Sequence, residues 1–372
     1  MERGADATKD KGRAPPGLLF LNNYTRTGIG DFGLNLIETL KGQGVSVQVE
    51  ETGLSWKGFF PQLRKARSWD GPFIANLGLT SWGTSGVRNL LGFLSLGRSA
   101  RRRRTVVVLH NLIEIIDPKD AGYRVGWVKT VGAHQAVRFL RAANLVVLSP
   151  RMQTLLKEKY GMDALCLVSP CKVLPVRPSP PGGRPRVASL GYLAPYKGVD
   201  IFLSVAEAMA EKAEFVLIGG AHRVLSQDPK VATWFQGVRA RAEKAGVRLT
   251  GYLEETQMNE TLQGCSLALL PYTSTSGASA SFSTLAAAGI PVIASALPEF
   301  ELVHEKGAGV VLVPPRPEEF LAAVRRLLAD PQELSRLASL QRAFAQKYSW
   351  GAFAQQLFDA TGPGPSSEDK QR

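Results

Sequence analysis

The chain has 372 residues, of which 44% are hydrophobic and 21% charged, and its 45 Lys and Arg against 32 Asp and Glu give a net charge of +13. That size and balance exclude a single small binding module, a fibrous chain and a disordered one, and point to two lobes or one large one. No apolar run reaches the roughly 18–20 residues of a membrane-spanning helix, and the start MERGADATKDKGR lacks a signal peptide's apolar centre, so a cytoplasmic location is expected.

In chain order, residues 1–16 read as an unstructured polar tail. Strands follow at 17–23 (GLLFLNN), 45–51, 72–79, 105–111 (TVVVLHN) and 144–149, apolar on both faces as buried parallel strands are. Helical patterns at 31–42, 127–142 and 150–159 separate them. PVRPSPPGGRPR, residues 175–186, holds five prolines and two glycines and reads as a linker. A second series begins beyond it, with strands at 187–193, 214–220, 247–253, 266–272, 291–295 and 309–315. Helices are expected at 198–212, 230–245, 255–263, 282–288 and 316–329, and a second polar tail at 361–372. The expected fold class is α/β, with two doubly wound Rossmann-like domains: 17–174 on the acceptor side and 187–360 on the nucleotide side. In such folds ligands sit beyond the carboxyl ends of the strands, so a cleft between the lobes is the default site.

Residues 1–180 carry all thirteen excess positive charges, and residues 181–372 sum to zero. The densest stretch runs from 88 to 104, where Leu90, Leu91, Phe93, Leu94 and Leu96 lead into Arg98 and Arg101, Arg102, Arg103 and Arg104. Two readings stand: an amphipathic element with its apolar side chains in the headgroup boundary of an anionic membrane, or a solvated connection before a buried strand. No zinc-finger spacing, RNP sequence or basic heptad accompanies the charge, so nucleic acid is set aside as a partner. Cys166, Cys171 and Cys265 fit neither a disulfide framework nor a paired zinc pattern and read as buried small hydrophobes.

Three glycine-containing segments carry chemistry. GIGDFG matches a dinucleotide fingerprint, with Glu50 and Glu51 about 20 residues on. The intervening LNNYTRT separates it from its strand, however, so Gly28, Gly30 and Asp31 also read as an acceptor-side loop whose amides meet an acceptor or a phosphate. GYLAPYKG ends a strand at Gly191 and sets Lys197 at a helix entrance, where an ammonium can hold a diphosphate. LLPYTSTSGASASFSTLAAAG places a bulk-free Ser and Gly loop before a short helix, with amides and dipole favouring phosphate.

These last two segments, about 80 residues apart, resemble the donor lobe of the GT-B glycosyltransferases of family 4, the glycosyl transferases group 1. The glycine-rich loop, the strand ending at His110, the GG-ended strand, the TGY and PVIAS strands and the terminal Tyr348–Trp350 complete the resemblance. It implies a nucleotide-sugar donor, UDP- or GDP-linked, no metal or other cofactor, retention at the transferred carbon, and a glycan acceptor in cell-envelope or exopolysaccharide assembly, while a lipid-linked acceptor and a place on the inner face of the plasma membrane are expected from the basic charge alone. Absence of any DxD sequence agrees with metal-free transfer. The family's phosphate arginine is Tyr192 here, and its glutamate pair aligns with Ser276 and Thr284. By the resemblance Gly191, Tyr192, Lys197, Gly219, Ser276, Gly277, Ala278, Ser279 and Thr284 bind the donor. Lys197 and the amides of residues 277–281 stabilise the leaving diphosphate. His110 either bonds a donor-sugar hydroxyl or is a satisfied structural histidine. Glu299 and Glu301 either face the cleft as catalytic acids or are solvated, and His222 and Arg223 either meet the diphosphate or lie in a solvated loop. Loss of both glutamates keeps a second function open, that of an inactive glycosyltransferase-like scaffold.

Overall fold

A computed structural model of the chain describes residues 17–23, 28–53, 55–83, 85–115, 127–174, 183–221, 229–275 and 277–360, the side chains of 127–130 excepted. His222, Arg223, Ser276, both tails and most of the expected linker lie outside the described residues.

Two six-stranded parallel sheets form the framework, as expected. The strands of the first are β1 Leu18–Asn22, β2 Val47–Glu51, β3 Phe73–Leu77, β4 Thr105–Leu109, β5 Asn144–Val147 and β6 Ala164–Cys166, in the order β2-β1-β3-β4-β5-β6. The second contains β7 Arg186–Leu190, β8 Glu214–Ile218, β9 Arg248–Leu249, β10 Leu267–Leu270, β11 Val292–Ser295 and β12 Val310–Val313, in the order β12-β11-β10-β7-β8-β9. Every side chain of β1, β3 and β4 is buried, which is why these segments read as unbroken apolar runs. In the second sheet alternate residues serve opposite faces. Val187, Leu217, Leu267 and Ile293 join a core with helices Val199–Met209 and Pro317–Leu328, while Ala188, Val216, Leu270 and Ala294 join another with helices Ala280–Ala287 and Pro331–Lys347.

Each sheet reverses its strand order at one point, in the first between β1 and β3 and in the second between β7 and β10. Chains leaving two such neighbours diverge, and the crevice beyond their carboxyl ends is where doubly wound sheets bind ligands. The described residues form two compact units. One comprises residues up to Val108, Gln135–Asn144 and the chain from Leu357; the other comprises Leu109–His134 and Leu145–Gln356.

Several elements differ from expectation. The Gly28–Gly33 segment is not a loop, because helix Gly28–Gly42 begins at its first glycine. The TGY segment contributes only the two-residue β9. Helices Trp56–Ser68, Pro298–Glu305, Pro331–Lys347 and Trp350–Ala360 and strand β6 were not anticipated. The apolar side chains of helix Gly86–Ala100 do not form an outward membrane-facing row. Phe93 and Leu96 are buried, Leu90 and Leu94 half-buried, and only Val87 and Leu91 lie exposed. The reason is steric: Gly92 packs on the Trp82 ring, and a Cβ there would lie 2.7 Å from it, so this helix turns its apolar stripe inward. Cys171 and Cys265 are buried and Cys166 half-buried, and burial raises their thiols to about 12, about 12 and about 11, leaving all three protonated near neutrality. No helix among the described residues is long and apolar enough to cross a membrane.

Candidate active site

The site is built where β7 and β10 diverge. β7 ends at Leu190 and is followed by Gly191, whose φ of 121° is open only to glycine and whose backbone packs so close to helix Ala280–Ala287 that a Cβ would lie 2.7 Å from Ser281 Oγ. Gly219, at φ 140°, is pressed against Gly191 in turn, with a Cβ there falling 1.9 Å from the Gly191 carbonyl. Beyond Gly191 a short 3-10 turn, Pro195–Lys197, carries the lysine, and the Thr273 amide donates to the Tyr196 carbonyl at 2.9 Å. The lysine turn is therefore docked on the end of β10 before any ligand arrives.

Lys197 Nζ donates to Tyr272 Oη at 2.6 Å, and Tyr272 Oη lies 3.2 Å from Ser279 Oγ. Ser279 caps helix Ala280–Ala287, accepting from the Phe282 amide. The ammonium also lies 5.2, 5.5 and 3.9 Å from the ring centres of Tyr192, Tyr196 and Tyr272. Three π faces hold a cation in place at about 0.5–1 kcal/mol each without neutralising it. The sequence reading found Lys197 and the small-residue loop but missed Tyr196 and Tyr272, whose only signal is a tyrosine directly after the apolar runs of LLPY and APYK. Tyr192, at the position of the family's arginine, is 41% exposed, and its hydroxyl meets that of Tyr196.

The remaining expected residues separate into groups. Thr284 donates its hydroxyl to the Ala280 carbonyl at 3.0 Å, which leaves its oxygen lone pairs as acceptors. Gly277, at φ 152°, lies beside the His110 backbone, a Cβ there being 3.5 Å from the His110 carbonyl oxygen. Ala278 and Ser279 line a cavity of about 20 Å³ with Ser283 and Glu299, large enough for about one water. Glu299 is buried, accepting from Ser149 Oγ at 2.8 Å on one oxygen and from Thr275 Oγ1 on the other. It is therefore not solvated, and both of its oxygens are committed inside the protein. Glu301 is exposed, two residues along the same helix. A larger cavity, of about 450 Å³, opens by Glu260, Cys265, Pro291 and Arg342. It lies at the amino ends of β10 and β11, the wrong end of a parallel sheet for the ligand.

Burial lowers the His110 imidazole from 6.5 to about 4, so it is neutral at pH 7. As pH falls the unfolded chain takes up this proton before the folded one. Stability is then full above about 6.5 and declines toward about 4, by about 3 kcal/mol in total. Urea unfolding at about pH 7 and about pH 4 should show that difference shrink in His110→Gln, and an equal slope in both proteins would refute the assignment.

At the first sheet's reversal point, Asn22 ends β1, Asn76 is the penultimate residue of β3, and both are fully buried. Asn76 Nδ2 lies 2.8 Å from Asn22 Oδ1, and the two amides donate to the carbonyls of Ile29 and Gly30 at 2.7 and 3.0 Å. This clasp fixes the amino end of helix Gly28–Gly42, carrying Gly28, Gly30 and Asp31 in its first turn. Neither asparagine was singled out from sequence, since their only mark is a polar residue closing an apolar run.

Residues 184–330 match the family described as glycosyl transferases group 1. The chain carries a glycosyltransferase domain. The glycosyltransferase has the GT-B fold, shared with the Anabaena protein HepE solved in complex with UDP: TM-score 0.69 at 17% identity, covering 92% of this chain and 98% of that one. Sucrose-phosphate synthase from Thermosynechococcus elongatus gives TM-score 0.68 at 16% identity, covering 93% and 98%. A glycosyltransferase from Rickettsia africae gives 0.60 at 10% identity, covering 94% and 98%. Identities this low speak for the fold and leave substrate to the site. No curated protein matches the glycosyltransferase in sequence.

Proposed function

We propose that the protein transfers a sugar from a UDP- or GDP-linked donor to a saccharide or lipid-linked acceptor, with retention and without a metal, in cell-envelope or exopolysaccharide assembly at the inner face of the plasma membrane. The observation that carries the donor half of this reading is the Lys197–Tyr272–Ser279 chain at the divergence of β7 and β10. HepE structures containing UDP and UDP-glucose favour a uridine nucleotide.

The chemistry follows from charge. As the bond between the sugar and the diphosphate breaks, negative charge gathers on the phosphate oxygens and the sugar becomes oxocarbenium-like. An ammonium held among tyrosines and the amides that open helix Ala280–Ala287 are already aimed at that charge, so stabilisation costs no reorganisation. These groups supply the neutralisation that a metal supplies elsewhere. The acceptor hydroxyl attacks from the side the diphosphate leaves, and its proton passes to the departing phosphate oxygen. Burial of Glu299 and a hydroxyl donor on each of its oxygens favour a positioning role for it over that of the base. The glycine-rich helix start held by Asn22 and Asn76 receives the acceptor.

A panel of UDP- and GDP-sugars tests this reading by release of nucleoside diphosphate, together with hydrogen-exchange protection by the matching nucleotide within residues 190–300. Nucleotide protection without any release would establish the inactive scaffold instead. Absence of both would remove the donor site altogether.

A further inference from the structure

Five arginines line one cavity of about 370 Å³ in the first compact unit: Arg67, Arg98, Arg101, Arg102 and Arg103, with Trp69, Ser99 and Asp70. Arg67 and Arg98 occupy the last turns of helices Trp56–Ser68 and Gly86–Ala100, where the helix dipole accounts for a cation. It does not account for Arg101, Arg102 and Arg103, which extend the cluster beyond the helix end. Among the described residues none of the five makes a salt bridge. Asp70 is the single carboxylate in the lining.

Arg103 is the fixed member. Its guanidinium lies 5.5 Å from the Phe73 ring centre and donates to Ser99 Oγ at 3.1 Å, while its Nε is buried with no hydrogen-bond partner. Burial pulls its pKa below the ordinary value, Asp70 opposes that shift and Arg102 adds to it. A buried donor left unmade and several like charges gathered round a concavity are both costs in the unliganded protein. An anion with several acceptor oxygens relieves both, since guanidinium groups match phosphate in geometry and charge.

We infer that this cavity binds a phosphate group, presented by an anionic lipid headgroup or by a soluble phosphate. Its position separates it from sugar transfer. Asp70 precedes β3, and the arginine run precedes β4, so the cavity lies at the amino ends of these strands, and the far, carboxyl end of β3 carries the asparagine clasp. Five residues of strand place those two ends about 17 Å apart. The site therefore docks the protein and takes no part in the reaction, and it does not depend on the donor assignment. The charge recorded in the sequence keeps its anionic partner, but a headgroup enters a pocket and no apolar helix face enters the bilayer.

The full-length protein is tested with Arg67→Gln/Arg102→Gln, both exposed positions, against Arg325→Gln/Arg326→Gln, which removes the same charge from an exposed helix face elsewhere. One arm measures co-sedimentation with phosphatidylcholine vesicles with and without phosphatidylglycerol. The other measures thermal stabilisation by inorganic phosphate against chloride at equal ionic strength. Loss of vesicle partitioning by about thirtyfold in the cavity variant alone identifies a lipid phosphate. Loss of the phosphate-dependent shift alone identifies a soluble one. Equal behaviour of the cavity variant and the control in both arms overturns the site.

Discussion

Lys197→Ala is expected to lower turnover by a factor of about 10² to 10³, the usual loss when one preorganised donor to a developing oxyanion is removed. The effect should fall on kcat more than on KM, because charge on the leaving diphosphate is greatest in the transition state. Losing the cation from among Tyr192, Tyr196 and Tyr272 costs folding stability as well, by at most about 1.5–3 kcal/mol. Melting temperature and nucleotide-dependent protection therefore show whether the variant is folded. Tyr272→Phe keeps the ring beneath the ammonium and removes the hydroxyl between Lys197 and Ser279, so a loss of about tenfold is expected. Full activity in Lys197→Ala, measured as nucleoside diphosphate release, would end the mechanism.

The second large effect is on stability. Glu299→Ala strands two buried hydroxyls at once, those of Ser149 and Thr275, and at about 1–3 kcal/mol each the loss should reach about 2–6 kcal/mol. For a unit of this size that lowers the melting temperature by about 10 °C. The Glu299 carboxylate ties the cap of helix Pro150–Tyr160 to the loop before helix Ala280–Ala287, so Thr275→Ala and Glu299→Ala should be strongly non-additive. Glu299→Gln preserves an acceptor and should lose less. An unchanged melting temperature accompanied by lost transfer would return Glu299 to the reacting groups and contradict the positioning role.

Much of this protein is legible in its sequence because the relevant physics is local. Parallel strands buried on both faces must be apolar throughout, as in LLFLN and TVVVL, and the turn at Gly191 followed by Lys197 needs neighbours only a few residues away. A serine before a run of small residues caps a helix wherever it occurs, as Ser279 does. What the sequence leaves open depends on partners far along the chain. Ser149 and Glu299 lie 150 positions apart, Lys197 and Tyr272 75, and Asn22 and Asn76 54. No spacing rule relates such residues, and only the tertiary fold brings them together: strand order for Lys197 with Tyr272 and for Asn22 with Asn76, and helix packing for Ser149 with Glu299. The arginine element shows the same division. Its charge is explicit in the sequence, and its helical periodicity admits either an inward or an outward apolar stripe. Contact between Gly92 and Trp82 decides for the inward one. The pattern of residues along the chain thus determined two doubly wound sheets, a lysine at the turn after Gly191 and a basic first half. Tertiary packing decided which carboxylate is committed, which tyrosines cradle the ammonium and which arginines share a cavity, because each of those outcomes rests on contacts between segments far apart in the chain.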